Sequence, residues 1–250
     1  MIITIDTKPC TCEPGEYLLE VAARNGIVIP TLCHHDGLPG QGCCRVCIVE
    51  VDLNGRRNIV TACVYPVECE CAVFTDSKNV SRRRSMILSL LRCEAPESSE
   101  VASLCEKYGA PDYTRFTAKP GEKCILCGLC VQACESLGTG AISTAGRGIE
   151  KTVTTPYDEP SMVCVGCTSC AKVCPTGAIA VEESDGKRSI WGKEQVIKKC
   201  KRCGRPIGTF AEIWRMVKKS GGEAPDLCEE CRKKSITDVM AAAYGVAAKR

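Results

Sequence analysis

Short apolar runs divide the first 78 residues into strands around one helix. A strand begins at Ile2, and a second short strand ends at Thr11. Apolar residues then recur at helical spacing after Pro14-Gly15, and Asn25-Gly26 predicts the end of this helix. Two further strands, Ile48–Val51 and Ile59–Cys63, flank a turn at Asn54-Gly55. The pattern predicts a small α+β unit with a long loop between its helix and its third strand.

Helical periodicity returns after this unit. A helix is predicted over Val80–Leu91. Arg82, Arg83 and Arg84 are interpreted as a solvated face at its start, the alternative being a surface that binds an acidic partner. Residues 94–118 predict an irregular connector with a short helix near Val101–Lys107.

Eight cysteines in the middle of the chain follow a motif that occurs twice. Residues 124–134 read CILCGLCVQAC and residues 164–175 read CVGCTSCAKVCP, so each half is C-x2-C-x2-C-x3-C. This is the signature of a bacterial-type ferredoxin domain with two [4Fe–4S] clusters, in which the fourth cysteine of each half binds the other cluster. The predicted ligands are Cys124, Cys127, Cys130 and Cys174 for one cluster, and Cys164, Cys167, Cys170 and Cys134 for the other. A pair of zinc knuckles, or plain buried cysteines, is disfavoured because all eight are in register.

The loop before the third strand predicts a [2Fe–2S] site. Its assigned ligands are Cys33, Cys44, Cys47 and Cys63, spaced C-x10-C-x2-C-x15-C. This departs from the plant-type C-x4-C-x2-C spacing. Glycines 37, 40 and 42 would let backbone N–H groups approach the cluster sulfurs.

Three neighbouring residues compete with these ligands. Cys43 is the rival of Cys44, which is preferred because it keeps the x2 spacing with Cys47. His34 and His35 are the pair that a Rieske centre would need, but four cysteines already suffice, so they are interpreted as solvent-facing loop residues.

The C-terminal region carries four more cysteines in two C-x2-C pairs. Cys200, Cys203, Cys228 and Cys231 predict a zinc-ribbon-like site, in which four thiolates surround one ion. The 24-residue spacer is slightly long for a ribbon, so a third [4Fe–4S] cluster stays open as the alternative. The spacer contains an amphipathic helix over Phe210–Lys218, and an Ala-rich helix over Ile236–Ala248 is predicted to follow.

Apart from Cys43, six cysteines remain without a predicted site. Cys10 with Cys12, and Cys69 with Cys71, form C-x-C pairs whose side chains share a strand face, so either pair could line a metal or redox site. The preferred interpretation is that these small, soft residues fill strand positions. Cys93 and Cys105 lie in the connector, where no cluster is predicted.

Composition narrows the class of protein. The chain has 250 residues, 23 cysteines and only 4% aromatic residues, which favours small domains held by metal clusters over one large core. No signal peptide or membrane-spanning run is visible, so a cytoplasmic location is expected, with membrane association only through a partner. A net charge of +3 and the absence of a basic, aromatic stripe argue against nucleic acid as a partner.

These patterns predict an α+β chain of four parts. Residues 1–78 form a β-grasp [2Fe–2S] ferredoxin-like domain, since their element order is strand, strand, helix, loop, strand, strand. Residues 79–118 form a helical linker, residues 119–182 the two-[4Fe–4S] domain, and residues 183–250 the four-Cys domain.

The segments CRVCIVEV and TACVYPV resemble the [2Fe–2S] domain of the large iron–sulfur subunit of complex I and of the diaphorase subunit of NAD-linked hydrogenases. Glu135, which follows Cys134 where simple ferredoxins have proline, strengthens this resemblance. The family's linker cluster, with one His and three Cys, has no counterpart here. The resemblance implies a partner subunit that holds FMN and the NAD(P) site.

The expected function is therefore electron transfer within a cytoplasmic, anaerobic, multi-subunit NAD(P)-linked oxidoreductase of hydrogenase, formate dehydrogenase or transhydrogenase type. The chain would relay electrons between a partner flavin and a further redox or catalytic subunit. It has no G-x-G-x-x-G, P-loop or nucleophile elbow, so no substrate-activating residue of its own is predicted. The alternative is a free-standing polyferredoxin that serves several redox enzymes.

Overall fold

The structure is a computed structural model that describes residues 1–112 and 116–244. The predicted connector therefore lacks a description at 113–115, and the end of the predicted last helix, from 245 onward, lies outside the described residues. The strands are β1 (Ile2–Ile5), β2 (Lys8–Thr11), β3 (Glu16–Tyr17), β4 (Ile48–Leu53), β5 (Arg56–Thr61), β6 (Pro66–Val67), β7 (Ala72–Phe74), β8 (Ser143–Ala145), β9 (Thr152–Thr154), β10 (Glu182–Ser184), β11 (Lys187–Ile190), β12 (Lys193–Lys199) and β13 (Pro206–Thr209). The helices are α1 (Leu18–Arg24), α2 (Lys78–Glu94), α3 (Ser99–Lys107), α4 (Leu129–Ser136), α5 (Ser169–Lys172), α6 (Phe210–Ser220) and α7 (Glu229–Ala243).

The chain divides into two compact units. The first contains Met1–Ala133, Thr144–Val153 and Cys170–Ala178, and the second contains Cys134–Ser143, Thr154–Ser169 and the chain from Ile179 onward. Among the helices that the structure describes, each is too short or too polar to cross a membrane.

A five-stranded sheet organises the first unit. Its strand order is β2-β1-β7-β4-β5, with β1 and β7 parallel and the other neighbours antiparallel. The predicted turn between β4 and β5 is confirmed, because Asn54 and Gly55 both have positive φ, as a tight two-residue hairpin requires. Helix α1 buries Leu18, Val21 and Ala22 in the core under this sheet.

Helices α2 and α3 follow the sheet and are capped by serine side chains. Ser77 accepts a hydrogen bond from the Val80 N–H, and Ser98 accepts one from the Val101 N–H. Both predicted helices are therefore present, and α2 is longer than the sequence indicated because its N-cap lies before the first apolar residue. A second core, which includes Leu88 and Val101, lies along these helices.

The interpretation of the arginine triplet as a solvated face is wrong for Arg84. Arg82 and Arg83 are exposed, but Arg84 is only 1% exposed. Its guanidinium donates to the carbonyl oxygens of Val46 at 3.1 Å, Ile48 at 2.7 Å and Thr75 at 3.0 Å. Helical periodicity rotates successive residues by about 100°, so one residue of the three turns inward while its neighbours face solvent.

A four-stranded antiparallel sheet, β10-β11-β12-β13, organises the C-terminal part of the second unit. Helix α6 begins at a capping box, in which Thr209 and Glu212 bond each other's backbone N–H groups, and it ends at Gly221 in the left-handed conformation. Only Ile213 of its predicted apolar face is buried, whereas Phe210 and Trp214 are exposed. Helix α7 begins directly after Cys228.

Candidate metal centres

The structure places the four predicted [2Fe–2S] ligands inside the first unit. Cys33, Cys44, Cys47 and Cys63 are all buried, whereas Cys43 is exposed. Cys33 and Cys44 come from the long loop after α1, Cys47 directly precedes β4, and Cys63 lies in a single 3-10 turn after β5. Burial thus separates Cys44 from its rival Cys43 in the direction that the spacing favours.

Hydrogen bonds join these thiols to one another and to the loop backbone. The Cys44 N–H donates to the Cys33 sulfur at 3.3 Å. A hydrogen bond between the thiols of Cys47 and Cys63 raises the pKa of Cys47 and lowers the pKa of Cys63, and the Gly42 N–H also lowers the latter. Buried thiols with convergent N–H donors fit an iron–sulfur cluster, whose thiolate ligands need such donors.

Two of the loop glycines are required, one by close packing and the other by its backbone conformation. A Cβ atom on Gly40 would come within 2.7 Å of the Cys63 carbonyl oxygen. Gly42 has φ +61°, a conformation that disfavours side chains. Of the two histidines beside the loop, His35 is exposed and its Nδ1 accepts a hydrogen bond from the Gly37 N–H.

This loop packs directly on the loop of the first predicted [4Fe–4S] site. The Cys43 Sγ lies 3.3 Å from the Cys127 carbonyl oxygen and donates to it. A Cβ atom on Gly128 would come within 3.0 Å of the Gln41 side chain. Cys33, Cys44 and Cys127 also belong to one buried cluster of side chains. The two loops therefore share a continuous packed interface.

The first predicted [4Fe–4S] site lies entirely in the first unit. Cys127 and Cys130 are buried, and burial raises the pKa of each thiol to about 12. The charges of Cys124 and Cys174 act on both, so Cys174 lies near the three cysteines that precede it by more than 40 residues in the chain. Binding of cations would displace the protons that burial retains on these thiols.

Three of the four ligands predicted for the second [4Fe–4S] site lie in the second unit. The charges of Cys167 and Cys134 both act on Cys164, whose pKa is raised chiefly by burial and lowered in part by the nearby Lys193 ammonium. Cys170 is buried in α5 and belongs to the first unit. Its role as a ligand stays a prediction of the motif.

The repeat in the sequence extends to hydrogen bonds on the last cysteine of each half. The Ala141 N–H donates to the Cys134 sulfur at 3.2 Å, and the Ala178 N–H donates to the Cys174 sulfur at 3.3 Å. The glycine before each alanine has positive φ, which turns the N–H toward the sulfur. The repeated Gly-Ala-Ile segments thus have a structural role, since N–H···S bonds stabilise the thiolate.

Sequence reasoning missed the threonine that begins each of these segments. The Thr139 hydroxyl lies 3.1 Å from the Cys134 sulfur, and the Thr176 hydroxyl lies 3.6 Å from the Cys174 sulfur. The sequence does show this repeat, because Thr-Gly-Ala-Ile begins five residues after Cys134 in the first half and two residues after Cys174 in the second. The different offsets hid the equivalence.

The four C-terminal cysteines form one compact group. The ligand atoms of Cys200, Cys203, Cys228 and Cys231 all lie within 4.8 Å of one another, and the sulfurs of Cys203 and Cys228 are 3.6 Å apart. Zn–S bonds of about 2.3 Å in a tetrahedron place neighbouring sulfurs roughly 3.8 Å apart. The group therefore fits a single ion.

Local backbone geometry positions these four thiols. Cys200 and Cys203 belong to a turn between β12 and β13, in which the Gly204 N–H donates to the Cys200 carbonyl and Gly204 has φ +72°. The other pair belongs to the start of α7, so the second knuckle is a helix turn and not a hairpin.

Donors around the site favour thiolates. Backbone N–H groups of Cys228, Cys203 and Arg202 lower the pKa of Cys200 to about 6. The Arg205 guanidinium pairs with both carboxylate oxygens of Glu230, at 2.8 and 2.6 Å, and ties the turn to α7.

Three of the cysteines without a predicted site, Cys10, Cys12 and Cys105, are buried. Cys10 and Cys12 are buried in the core of the first unit, as the preferred interpretation of these residues supposed. The two C-x-C pairs do approach each other, because the partly buried Cys71 packs against the core cluster that contains Cys10 and Cys12. Burial raises the pKa of Cys71 to about 11, and the charges of Cys69 and Cys12 add to this. The Cys105 thiol is buried and donates to the Leu88 carbonyl.

Comparison with known protein families matches two segments of the chain. Residues 1–78 match the 2Fe-2S iron–sulfur cluster binding domain, and residues 123–178 match the 4Fe-4S dicluster domain. The predicted order of the two cluster domains is thereby confirmed.

Three known proteins are similar to this chain over most of its length. The NADP-reducing hydrogenase subunit HndD of Solidesulfovibrio fructosivorans is 30% identical over 214 residues, covering 73% of this chain and 36% of that protein. The NADPH-Fe(3+) oxidoreductase subunit alpha of Geobacter sulfurreducens is 30% identical over 226 residues, covering 80% of this chain and 26% of that protein. An NADH-quinone oxidoreductase subunit of Rhizobium meliloti is 28% identical over 229 residues, covering 81% of this chain and 26% of that protein. The chain thus spans between 26% and 36% of the length of these relatives.

A solved structure is similar over nearly its whole length. It is a chain of an NAD+-reducing [NiFe]-hydrogenase crystallised in the H2-reduced state, with 26% identity and a TM-score of 0.61. The similarity covers 83% of the present chain and 91% of the hydrogenase chain. Residues 1–78 therefore belong to the 2Fe-2S cluster-binding family and residues 123–178 to the 4Fe-4S dicluster family, and the chain as a whole is similar to iron–sulfur subunits of hydrogenases and NADH-quinone oxidoreductases.

Proposed function

We propose that the chain is an electron-transfer subunit with one [2Fe–2S] and two [4Fe–4S] clusters, working in a multi-subunit NAD(P)-linked oxidoreductase. When bound, such clusters accept and release single electrons. The observation that carries the proposal is the packed interface between the [2Fe–2S] loop and the first [4Fe–4S] loop, where the Cys43 sulfur contacts the Cys127 carbonyl at 3.3 Å. A protein that only stored clusters would have no need to hold two of these loops against each other.

The ligand sets follow the motif and the burial of the thiols. Cys33, Cys44, Cys47 and Cys63 hold the [2Fe–2S] cluster in a β-grasp domain, an assignment supported by the strand order β2-β1-β7-β4-β5 around α1. The two [4Fe–4S] clusters take Cys124, Cys127, Cys130 and Cys174, and Cys164, Cys167, Cys170 and Cys134. The domain boundaries proposed are 1–78, 79–118, 119–182 and 183–250.

The C-terminal thiols hold one zinc ion in a zinc-ribbon-like domain. Their mutual distances support a single ion over a third cube, because a cube binds each thiolate to a different iron and so needs sulfurs further apart. Since Zn²⁺ has no redox chemistry, this site stabilises the fold and carries no electrons.

The partners proposed are those that the resemblance to complex I and NAD-linked hydrogenase subunits implies. A flavin subunit that binds NAD(P) exchanges electrons with this chain, and a further redox or catalytic subunit takes or supplies them. No residue of this chain activates a substrate. The proposal assigns the chemistry of nicotinamide oxidation or reduction to the partner.

Metal analysis and electron paramagnetic resonance (EPR) of the anaerobically purified chain test this function. We expect about ten iron atoms per chain, two for the [2Fe–2S] cluster and four for each cube, together with one zinc. Partial reduction should give [2Fe–2S] and [4Fe–4S] signals, and full reduction should broaden or split them because neighbouring paramagnets interact. A chain with iron for fewer than three clusters would contradict the proposal, as would three signals that stay unchanged when all are reduced.

The choice between Cys43 and Cys44 gives a sharper prediction. We expect Cys44→Ser to lose about two iron atoms and the [2Fe–2S] signal, because it removes a buried ligand. The matched variant Cys43→Ser, one residue away, retains a hydroxyl that can donate to the Cys127 carbonyl in place of the thiol, and it should keep both. Iron analysis and EPR of the two proteins decide the matter, and the opposite result would assign the ligand to Cys43.

A further inference from the structure

The loop that carries Cys164 and Cys167 is held by side chains of the C-terminal sheet. Lys193, the first residue of β12, donates from its Nζ to the carbonyl oxygens of Ser161 at 3.1 Å, Met162 at 2.7 Å and Cys164 at 2.8 Å. An ammonium group has three donors, so this loop takes all of them. The positive charge is therefore directed at the loop.

Neighbouring residues of the same sheet bind the rest of the loop backbone. The Arg188 guanidinium donates to the Gly166 carbonyl at 2.7 Å, and the Thr209 hydroxyl donates to the Val165 carbonyl. The Gln195 amide, oriented so that both of its groups are satisfied, donates to Val165 O at 3.0 Å and accepts from the Gly166 N–H at 2.9 Å. The five carbonyls bound in this way belong to Ser161, Met162, Cys164, Val165 and Gly166.

The sheet approaches the loop closely at Gly166. Gly166 has φ +68°, and a Cβ atom there would come within 2.7 Å of the end of the Gln195 side chain. The Arg188 side chain is 11% exposed and is itself held by the carboxylates of Glu183 and Glu212. A different path for this loop would break several hydrogen bonds, most of them partly buried.

Helix α6 holds the segment that follows Cys134. The Arg215 guanidinium donates to the carbonyls of Leu137 and Gly138, and the Lys219 ammonium donates to Leu137 O at 2.9 Å. Both segments that bring second-cluster ligands into this unit are thus bound by C-terminal side chains, the first by residues of β11 to β13 and the second by residues of α6.

We propose that the region from β11 to α6 is a clamp that positions the second [4Fe–4S] cluster and raises its reduction potential, with Lys193 as the principal positioning residue. The inference rests on the proposed assignment of Cys164, Cys167 and Cys134 as ligands. Its physical basis is twofold. The clamp fixes the ligand loop, and its ammonium group favours the reduced, more negative form of the cluster.

An EPR-monitored redox titration of the full chain with Lys193→Met tests the clamp. The signal that Cys164→Ser abolishes identifies the second cluster. For that signal we expect the ratio of reduced to oxidised cluster at a fixed potential to fall at least tenfold, which is about 59 mV for a one-electron couple. The other two clusters should titrate as in the unaltered chain.

Two further variants make the result decisive. Lys187→Met removes an exposed lysine of the same sheet, which pairs with Glu194, and should leave every potential unchanged. Lys193→Arg keeps the charge and should restore most of the potential. If Lys193→Met instead loses about four iron atoms while Lys193→Arg retains them, positioning by Lys193 is supported.

The proposal fails if Lys193→Met keeps its iron and an unshifted second-cluster potential, or if Lys187→Met shifts it equally. Failure of the proposed function is separate, because it would show as missing cluster signals in the unaltered chain.

Discussion

Replacing Arg84 by methionine is expected to lower the free energy of unfolding of the N-terminal unit by about 3 kcal/mol, because buried acceptors left without donors cost roughly 1–3 kcal/mol each. The variant leaves the carbonyls of Val46, Ile48 and Thr75 without the guanidinium that binds them. Burial of the Arg84 guanidinium is itself costly, and this desolvation lowers the pKa of Arg84. Because the methionine variant no longer buries a charge, the net loss lies at the lower end of the summed cost.

The position of these carbonyls makes the effect visible at the cluster. Val46 and Ile48 flank the ligand Cys47, so Arg84 holds the chain on both sides of it. Loss of the [2Fe–2S] absorption on heating should therefore report the change. A loss of 3 kcal/mol corresponds to a midpoint lower by roughly 6–12 °C, at about 2–4 °C per kcal/mol.

Two variants on the same helix serve as controls. Arg83→Met removes an exposed guanidinium that bonds only the Asn79 side chain in the contacts described, and it should change stability by less than about 0.5 kcal/mol. Arg84→Lys keeps the charge but lacks the planar fork, so an intermediate loss is expected. Equal midpoints for Arg84→Met and Arg83→Met would refute the structural role of Arg84.

Replacing Cys200 by serine is expected to remove the zinc ion and unfold the C-terminal metal site. Cys200 is 3% exposed and lies within 4.8 Å of the other three thiols. Binding of Zn²⁺ to sites of this kind contributes on the order of 10 kcal/mol to folding at neutral pH. The other links between this turn and the chain near α7 include exposed ion pairs, Lys201 with Asp226, Arg202 with Asp238 and Arg205 with Glu230, and such pairs contribute little individually.

Metal analysis and limited proteolysis check this prediction. The Cys200→Ser chain should contain no zinc and should be cut rapidly between β13 and α7, whereas its iron content should be retained at the [2Fe–2S] and first [4Fe–4S] sites. Cys69→Ser, which alters an exposed cysteine outside the predicted sites, is the matched control. Loss of about four iron atoms without loss of zinc would instead assign the C-terminal thiols to a third cube.

The kinds of cluster-binding domain and their order could be predicted from the sequence, and the ligand assignments stay predictions of the same motifs. Metal clusters require cysteines at short, fixed separations, and such spacing is a local property that a linear sequence displays directly. For the same reason the Asn54-Gly55 turn, the capping of α6 and the general order of strands and helices were predictable.

The tertiary structure alone decided which of several similar residues is buried. Arg82, Arg83 and Arg84 are identical in the sequence, and only the packing of α2 against the carbonyls of Val46 and Ile48 turns Arg84 inward. Cys43 and Cys44 are likewise adjacent, and the loop conformation exposes one and buries the other. Such choices depend on contacts between residues far apart in the chain, which no local pattern encodes.

The same reason explains why the clamp on the second cluster loop could not be foreseen. Lys193 is one of many lysines in the sequence, and it bonds carbonyls that precede it by 29 to 32 residues. Backbone carbonyls carry no sequence signal, because every residue has one. The sequence thus determined which clusters this protein can hold, and the tertiary structure determined which cations and hydrogen bonds surround them.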